Sequence, residues 1–366
     1  MSIQVQGKKD REVGDEGTGL IRGAIRQMAG YVPGEQPSDA KIVKLNTNEN
    51  PYPPSPRVQE AVARASERLW LYPDPTARAL REKVADLLGV DAAGVVVGNG
   101  SDEILTLLLR SVVDPGQTVA YPVPTYSLYD SLVAIQGGVA ERHPFPEDFS
   151  LPESLLRSRA RLRIVCNPNS PSGTVVPQSD LERLARTFPE GLLAIDEAYV
   201  DFADESAVSL VGAHSNVVVL RTLSKSYSLA GLRVGFAVTT PALAAEIHKV
   251  RDSYNVGRLP QAGALAALED QAWMRANVDR VRATRARLTR ALVDMGYAVL
   301  PSQANFVLAL RPGRSQAGVA AALREQGVLV RHFAEVPHGL RISIGTDEEV
   351  DALVARLRSL RAAGDP

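Results

Sequence analysis

The 366-residue sequence predicts an α/β fold: a largely parallel sheet covered by helices, followed by a smaller α+β domain. Three observations predict it. Short, continuously apolar runs alternate with helix-length segments, which marks strands covered on both faces. The chain is too long for one ordinary core. Beyond about residue 260 one long helical stretch gives way to alternating strands, the order of an α+β unit.

The opening residues, MSIQVQGKKDREVGDEGTGL, are polar and glycine-rich and read as a loose arm without a signal peptide. Val58, Ala61, Val62, Ala65 and Leu69 recur at helical spacing. Leu80, Val84, Leu87 and Leu88 mark a second helix, with Thr76 as its cap and Gly89 as its end. Six apolar runs then read as strands: 95–97, 118–121, 162–166, 192–195, 217–220 and 234–238. A long Arg- and Ala-rich helix spans Gln271–Met295. Strands follow at 305–310, 328–331 and 340–344, and a last helix starts near Asp347 as N-cap. The expected division is an arm over 1–44 packing with the small domain, a large domain over 45–260, and a small domain over 261–366.

Composition narrows the partners. Hydrophobic residues make up 45% and charged residues 23%, the balance of a soluble globular chain. A formal net charge of -1 offers no bulk attraction to nucleic acid. No apolar stretch is long enough to span a bilayer, so no membrane partner is expected. The lone Cys166 excludes an intrachain disulfide and suits a reducing, cytoplasmic location. No His or carboxylate cluster marks a metal site, so no metal is expected.

Chemistry concentrates where apolar strands end. In TLSKSYSLAGLRVG (Thr222–Gly235), Lys225 follows an apolar strand among hydroxylated neighbours, with Arg233 eight positions on. A lysine that forms a Schiff base with an aldehyde cofactor needs a rigid strand end, phosphate-holding neighbours and a fixed cation. A solvated turn lysine is the plain alternative.

GNGSDE (Gly98–Glu103) joins a strand to a helix. Its glycines admit an anion close to the backbone and its helix start offers unpaired N–H groups. On that segment alone, a tight turn capped by Ser101 or Asp102 is the simpler reading. The dinucleotide fingerprint fails, because Glu103 stands where the third glycine belongs.

DEAY (Asp196–Tyr199) puts a carboxylate at a buried strand end. That carboxylate suits a metal, a nucleotide site, a protonated pyridine nitrogen or a helix cap. Neither a metal cluster nor a phosphate-binding loop of the Walker type accompanies it, which favours the pyridine nitrogen. CNPNSPSG (Cys166–Gly173) is a stiff loop or a plain turn. PVPTY (Pro122–Tyr126) sets Tyr126 at a strand end, as a stacking ring or a core tyrosine.

In this order, GNGSDE, PTY, NPNSPSG, DEAY and SKSYSLAGLRVG resemble the fold-type-I pyridoxal-phosphate (PLP) aminotransferases. YVPGE, KLNTNENPYPPSP, YPD, SYNVGRLPQ and HGLRISIGT resemble the histidinol-phosphate aminotransferase branch. The resemblance covers nearly the whole chain, from about Leu20 on. It implies a large domain with a mostly parallel seven-stranded sheet sandwiched by helices, and pyridoxal 5′-phosphate as cofactor. Lys225 would form the Schiff base and shuttle a proton. Asp196 would face the pyridine nitrogen, Tyr199 the phenolic oxygen, and Tyr126 the ring. Ser101, Asp102, Ser224 and Arg233 would hold the phosphate, with Tyr72 reaching in from the second subunit of a homodimer. Tyr31, Asn48, Arg331 and Arg341 would bind substrate.

The family pattern has two asparagines before its Pro-Thr/Ser-Gly step. Here they are Asn169 and Ser170, which leaves contact with the phenolic oxygen to Ser170 through water or to Asn169. The expected reaction is ping-pong transfer of an amino group from L-histidinol phosphate to 2-oxoglutarate. An aromatic amino-acid aminotransferase and an O-phosphothreonine decarboxylase share the pattern. A PLP-binding effector domain of a transcription regulator fits poorly, because no basic helix-turn-helix pattern precedes LNTNENP.

Overall fold

The structure, a computed structural model, describes residues 18–39 and 41–364, and the first part of the predicted arm lies outside them. A short helix α1 (Gly23–Gln27) leads through extended chain to β1 (Val43–Lys44). Helix α2 (Pro56–Ser66) starts on Ser55, whose hydroxyl accepts from the Arg57 N–H at 3.2 Å. Pro56 fills the first turn, where no N–H is needed. Helix α3 (Arg78–Leu88) ends on Gly89 as predicted, but Thr76 is not its cap. The Asp74 carboxylate instead accepts from the N–H groups of Thr76 and Arg78, placing negative charge at the positive helix end.

The central region alternates strands and helices. In order these are β2 (Val95–Gly98), α4 (Ser101–Val112), β3 (Thr118–Val123), α5 (Leu128–Gln136), β4 (Val139–Pro144) and α6 (Glu153–Leu156). Next come β5 (Leu162–Cys166), α7 (Gln178–Thr187), β6 (Leu192–Asp196), α8 (Ser209–Ala213), β7 (Val217–Thr222), β8 (Gly235–Val238), α9 (Pro241–Lys249) and α10 (Arg258–Glu269). Seven strands form one sheet in the order β2-β8-β7-β6-β5-β3-β4. Only β8 runs against its neighbours. The expected mostly parallel seven-stranded sheet is therefore present.

Side chains alternate across it. Val217 and Val219 enter one core, while Val218 and Leu220 enter the core on the opposite face. Both faces are dry, which is why these strands read as unbroken apolar runs. The sequence missed β4 because VAERHP lies at the sheet edge and is mostly polar and accessible.

The chain continues with α11 (Gln271–Asp294), β9 (Ala298–Val299), β10 (Phe306–Leu310) and α12 (Ala317–Glu325). It closes with β11 (Val328–Leu329), β12 (Arg331–Phe333), β13 (Val336–Ser343) and α13 (Asp347–Ala362). Strands β12-β13-β10-β9 make a second, antiparallel sheet around a third core. The strand expected over 328–331 is two strands. β11 pairs in parallel with β1, and β12 pairs with β13. The α13 N-cap is Thr346 rather than Asp347. Its hydroxyl accepts from the Glu349 N–H while Glu349 accepts from the Thr346 N–H, a reciprocal capping box.

The extended chain before β1 divides its contacts. Arg22 donates to the Ile135 carbonyl on α5, whereas Glu35 meets Arg324 on α12.

Candidate active site

Strands β5 and β6 are in register at Cys166 and Asp196, and β7 ends beside them at Thr222. A cavity of about 220 Å³ lies over these carboxyl ends, the usual place for a ligand on such a sheet. From the large sheet it gathers Ser101, Asp102, Tyr126, Ser170, Asp196, Tyr199, Ser224, Lys225 and Arg233. From the arm and the second sheet come Tyr31, Asn48, Arg331 and Arg341.

Asp196 is the buried acid of the cavity. Its Oδ2 accepts from the Tyr129 hydroxyl at 2.8 Å and its Oδ1 from the Ala198 N–H at 3.2 Å. Burial pushes its pKa up to about 6, helped by the charges of Asp102 and Glu197. The Tyr129 and Ala198 hydrogen bonds hold it down. The Tyr199 hydroxyl accepts from Asn48 Nδ2 at 3.1 Å, and burial raises its pKa to about 12, so it remains a donor. Tyr126 meets Tyr129 edge-on, with centroids 5.6 Å apart.

Lys225 lies in the loop after β7. Asn50 Nδ2 donates to the carbonyls of Lys225 and Ser226, at 3.0 and 3.2 Å, and Ser226 donates to Asp201. The loop is thus tied on both sides. Lys225 Nζ stands 3.5 Å from the Thr47 carbonyl and 5.7 Å from the Tyr199 ring centroid. The side chain keeps some surface on the cavity, yet the cavity is itself deep in protein. Burial therefore pulls the amine down to about 8, with Arg341 adding to the effect and Glu49 opposing it.

The turn from β2 to α4 is shaped for an anion. Gly100 has φ +83°, and a Cβ there would sit 2.6 Å from Arg233 Nη2. A Cβ on Gly235 would sit 2.5 Å from the Ser101 amide. Two glycines therefore let a cation and a helix start approach each other. Arg233 donates to Asp102 Oδ2 at 3.1 Å and to Ser224 Oγ at 3.4 Å. The first-turn N–H groups of α4 have no partners within the helix and carry its positive end. Neither Ser101 nor Asp102 is the cap. Gly100 holds that position, and Glu103 accepts from the Asn99 N–H and from Asn255 Nδ2. Glu103, which spoiled the dinucleotide fingerprint, is what pins this turn.

Arg341 sits on β13 at 9% exposure. Its Nη1 donates to Ser170 Oγ at 3.2 Å and its Nη2 to the Asn46 carbonyl at 2.7 Å, while the buried Nε has no partner. Burial lowers its pKa without threatening its charge. Arg331 donates to the Val32 carbonyl at 3.3 Å. Tyr31 covers Tyr126 edge-on, with centroids 6.0 Å apart. Glu35 takes two bonds from Arg324, each 2.8 Å, and its carbonyl accepts from Asn46 Nδ2.

Two predicted residues lie elsewhere. Asn169 is buried behind the wall, donating to Ser172 and the Pro124 carbonyl and accepting from Thr125, so its amide is committed to the loop. Tyr72 is exposed and stacks on Tyr254 at 4.5 Å, outside the cavity of its own chain. Asn46, Thr47 and Tyr129 were not singled out from sequence. The first two lie within the quoted KLNTNENP motif. Tyr129 lies three positions after Tyr126, which precedes α5, and its N–H donates to the Tyr126 carbonyl at 3.1 Å in the turn that opens the helix.

Among the described residues, no group of three or more His, Cys, Asp and Glu could hold a metal ion. No described helix is long and apolar enough to cross a membrane.

The donor set suits a flat, anionic aldehyde cofactor: an amine, a buried carboxylate, an aromatic ring and a phosphate-sized cradle converge. Comparison with known proteins agrees. The family model for aminotransferase class I and II matches residues 40–357. Histidinol-phosphate aminotransferase 1 of Nostoc sp. is 45% identical over 353 residues, covering 95% of this chain and 100% of that protein. Histidinol-phosphate aminotransferase 1 of Bradyrhizobium diazoefficiens is 46% identical over 341 residues, covering 92% and 97%. The crystal structure of histidinol-phosphate aminotransferase from Sinorhizobium meliloti in complex with pyridoxal-5′-phosphate superposes with a TM-score of 0.84. It is 29% identical and covers 93% of this chain and 98% of that one.

Proposed function

Because the chain belongs to the aminotransferase class I and II family, we propose that it moves the amino group of L-histidinol phosphate to 2-oxoglutarate with pyridoxal 5′-phosphate as cofactor. Arg341 carries the substrate part of this reading. It is a buried guanidinium that lines the cavity with an amine and a carboxylate, and its buried Nε has no partner. Such a group is costly unless an anion completes it. Donor phosphate and acceptor carboxylate are both anions that a planar fork can bind.

The bound cofactor supplies an electron-withdrawing ring that takes up the electron pair left when the substrate carbon loses its proton. The cradle of Ser101, Asp102, Ser224 and Arg233 would hold its phosphate. Asp196, ionised above about pH 6, would hold the cofactor's pyridine nitrogen protonated. Tyr126 offers an aromatic face and Tyr199 a hydroxyl donor. Lys225 would be the attachment point and the base. With its pKa near 8, a useful fraction is neutral at physiological pH and can take a proton from the donor carbon and return it. Asn48 and Arg331 would orient substrate, and Tyr31 would exclude water from above.

The same reading makes the protein a homodimer. Leu69, Trp70, Leu71 and Tyr72 form a consecutive exposed apolar run, which an isolated soluble chain seldom presents. In a dimer this run is covered, and Tyr72 reaches a neighbouring phosphate cradle.

A half-reaction tests the substrate. Cofactor-loaded protein is mixed with L-histidinol phosphate and no keto acid, and pyridoxamine phosphate is quantified. Its stoichiometric appearance supports the reading. Conversion by phenylalanine or tyrosine but not by L-histidinol phosphate would assign an aromatic donor, with Arg341 reading a carboxylate. Release of carbon dioxide from O-phosphothreonine would assign a decarboxylase.

A further inference from the structure

Tyr129 is buried at 0% exposure between the sheet and α5, and it touches two groups assigned to the cofactor. Its hydroxyl donates to Asp196 Oδ2 at 2.8 Å, and its ring meets Tyr126 edge-on at 5.6 Å and 80°. Tyr121 packs against its other side at 5.7 Å and is itself anchored through its hydroxyl to Asp130. Two aromatic neighbours and the Asp196 hydrogen bond hold Tyr129, and the buried Cys166 thiol is a second, weaker polar neighbour of its hydroxyl.

Asp196 has few other supports. Among the described residues no lysine or arginine pairs with it, and its other side-chain hydrogen bond is the 3.2 Å contact from the Ala198 amide. Its neighbours Asp102 and Glu197 are acids that disfavour its charge. A carboxylate in that setting stays ionised and oriented only if donors hold it. A carboxylate also accepts through two oxygens at once. The Tyr129 hydroxyl occupies one lone-pair direction on Oδ2 and so restricts how the group faces the cavity.

Resting on the pyridoxal-phosphate reading above, we propose that Tyr129 is the positioning residue of the cofactor site. It fixes the Asp196 carboxylate toward the ring nitrogen and braces the Tyr126 ring from the same scaffold position. It touches neither substrate nor cofactor and acts through the two residues that do.

The test is equilibrium binding to the apoprotein, followed by calorimetry, with two probes. One is 4′-deoxypyridoxine 5′-phosphate, which cannot react with Lys225 and so isolates ring and phosphate recognition. The other is its 1-deaza counterpart, in which a C–H replaces the ring nitrogen and the Asp196 interaction is lost. Tyr129→Phe removes one oxygen and keeps the ring. Binding of the nitrogen-containing probe should weaken by about tenfold to a hundredfold, the usual range for losing a hydrogen bond to a buried charge. Binding of the deaza probe should change by less than about threefold.

Equal weakening of both probes would mean general loosening of the site and would overturn the proposal. Unchanged binding of both would overturn it too. If the wild-type protein binds neither probe, the cofactor reading itself fails, which is a separate result. Should Tyr129→Phe not fold, 3-fluorotyrosine at position 129 keeps the shape and strengthens the donor. It should tighten the nitrogen-containing probe alone, and no change would overturn the proposal.

Discussion

Arg341 Nη1 and Ser170 Oγ are hydrogen-bonded at 3.2 Å, so the arginine from the small antiparallel sheet and the loop after β5 meet directly across the cavity. The sequence marked Ser170 as a departure whose natural partner would be the cofactor ring. The structure gives it Arg341, the residue proposed above to bind substrate. Ser170→Ala should therefore raise KM for an anionic substrate by about three- to tenfold, the net value of one ordinary hydrogen bond, because Ser170 orients Arg341 from outside the substrate, with a smaller change in kcat. Steady-state kinetics with each substrate varied in turn would show it. A fall in kcat at constant KM would return Ser170 to the ring.

Arg341→Ala should lower kcat/KM by at least about a hundredfold, because it removes the buried fork and leaves the Asn46 carbonyl without its donor. Cofactor retention on a desalting column should be nearly unchanged. A variant that sheds its cofactor would place Arg341 in the wrong role.

Lys225 penalises the apoprotein. Its pKa falls from 10.5 to about 8 on folding, corresponding to about 3 kcal/mol against the charged form. Between those values the unfolded chain binds more protons, so stability rises with pH across that window, and the penalty is complete below about pH 8. Apo Lys225→Met should melt higher than wild type at pH 7, and the gain should shrink toward pH 10.5. The same variant should retain no cofactor after borohydride reduction and denaturation.

Asp196 shows the opposite side of this linkage. Its folded pKa is raised from 3.8 to about 6, so its ionisation costs stability as pH climbs through that window. Apo Asp196→Asn should be more stable than wild type at pH 7 and indistinguishable at pH 3.8 or below. Cofactor binding should move the other way and weaken as pH falls below about 6. Fluorescence titrations over this range would decide it.

The exposed run ending at Tyr72 predicts the assembly. Sedimentation of wild-type protein should report a dimer, and Trp70→Asp should shift it toward monomer with loss of cofactor affinity. A wild-type monomer would remove Tyr72 from the site.

Much of the site was legible because its residues fall at the ends of apolar strands. Asp196 follows LLAI and Lys225 follows VVVLRT, and both strands read clearly because they are dry on both faces. What stayed hidden depends on distant partners. Strand β4 is polar and is held by pairing with β3, not by a pattern of its own. The break between β11 and β12 exists because Val43 and Lys44 pair with Val328 and Leu329 from the far end of the chain. Tyr129 looked like one aromatic among several until its hydroxyl was placed on Asp196. The misplaced caps at Thr76 and Asp347 were near misses. Several neighbours can satisfy a helix start, and geometry chooses between them.

The pairing of β1 with β11 has a mechanical meaning. It fastens the chain carrying Asn46, Thr47 and Asn48 to the same body as Arg341. Asp196 and Lys225 belong to the opposing body, the seven-stranded sheet. The cleft is therefore a pair of jaws. One holds the acid and the amine, and the other brings the carbonyl at Thr47 and the guanidinium that crowd that amine. The basicity of Lys225 is therefore shared property: the seven-stranded body supplies the amine, and the opposing body supplies much of the burial and the Arg341 charge that pull it down to about 8.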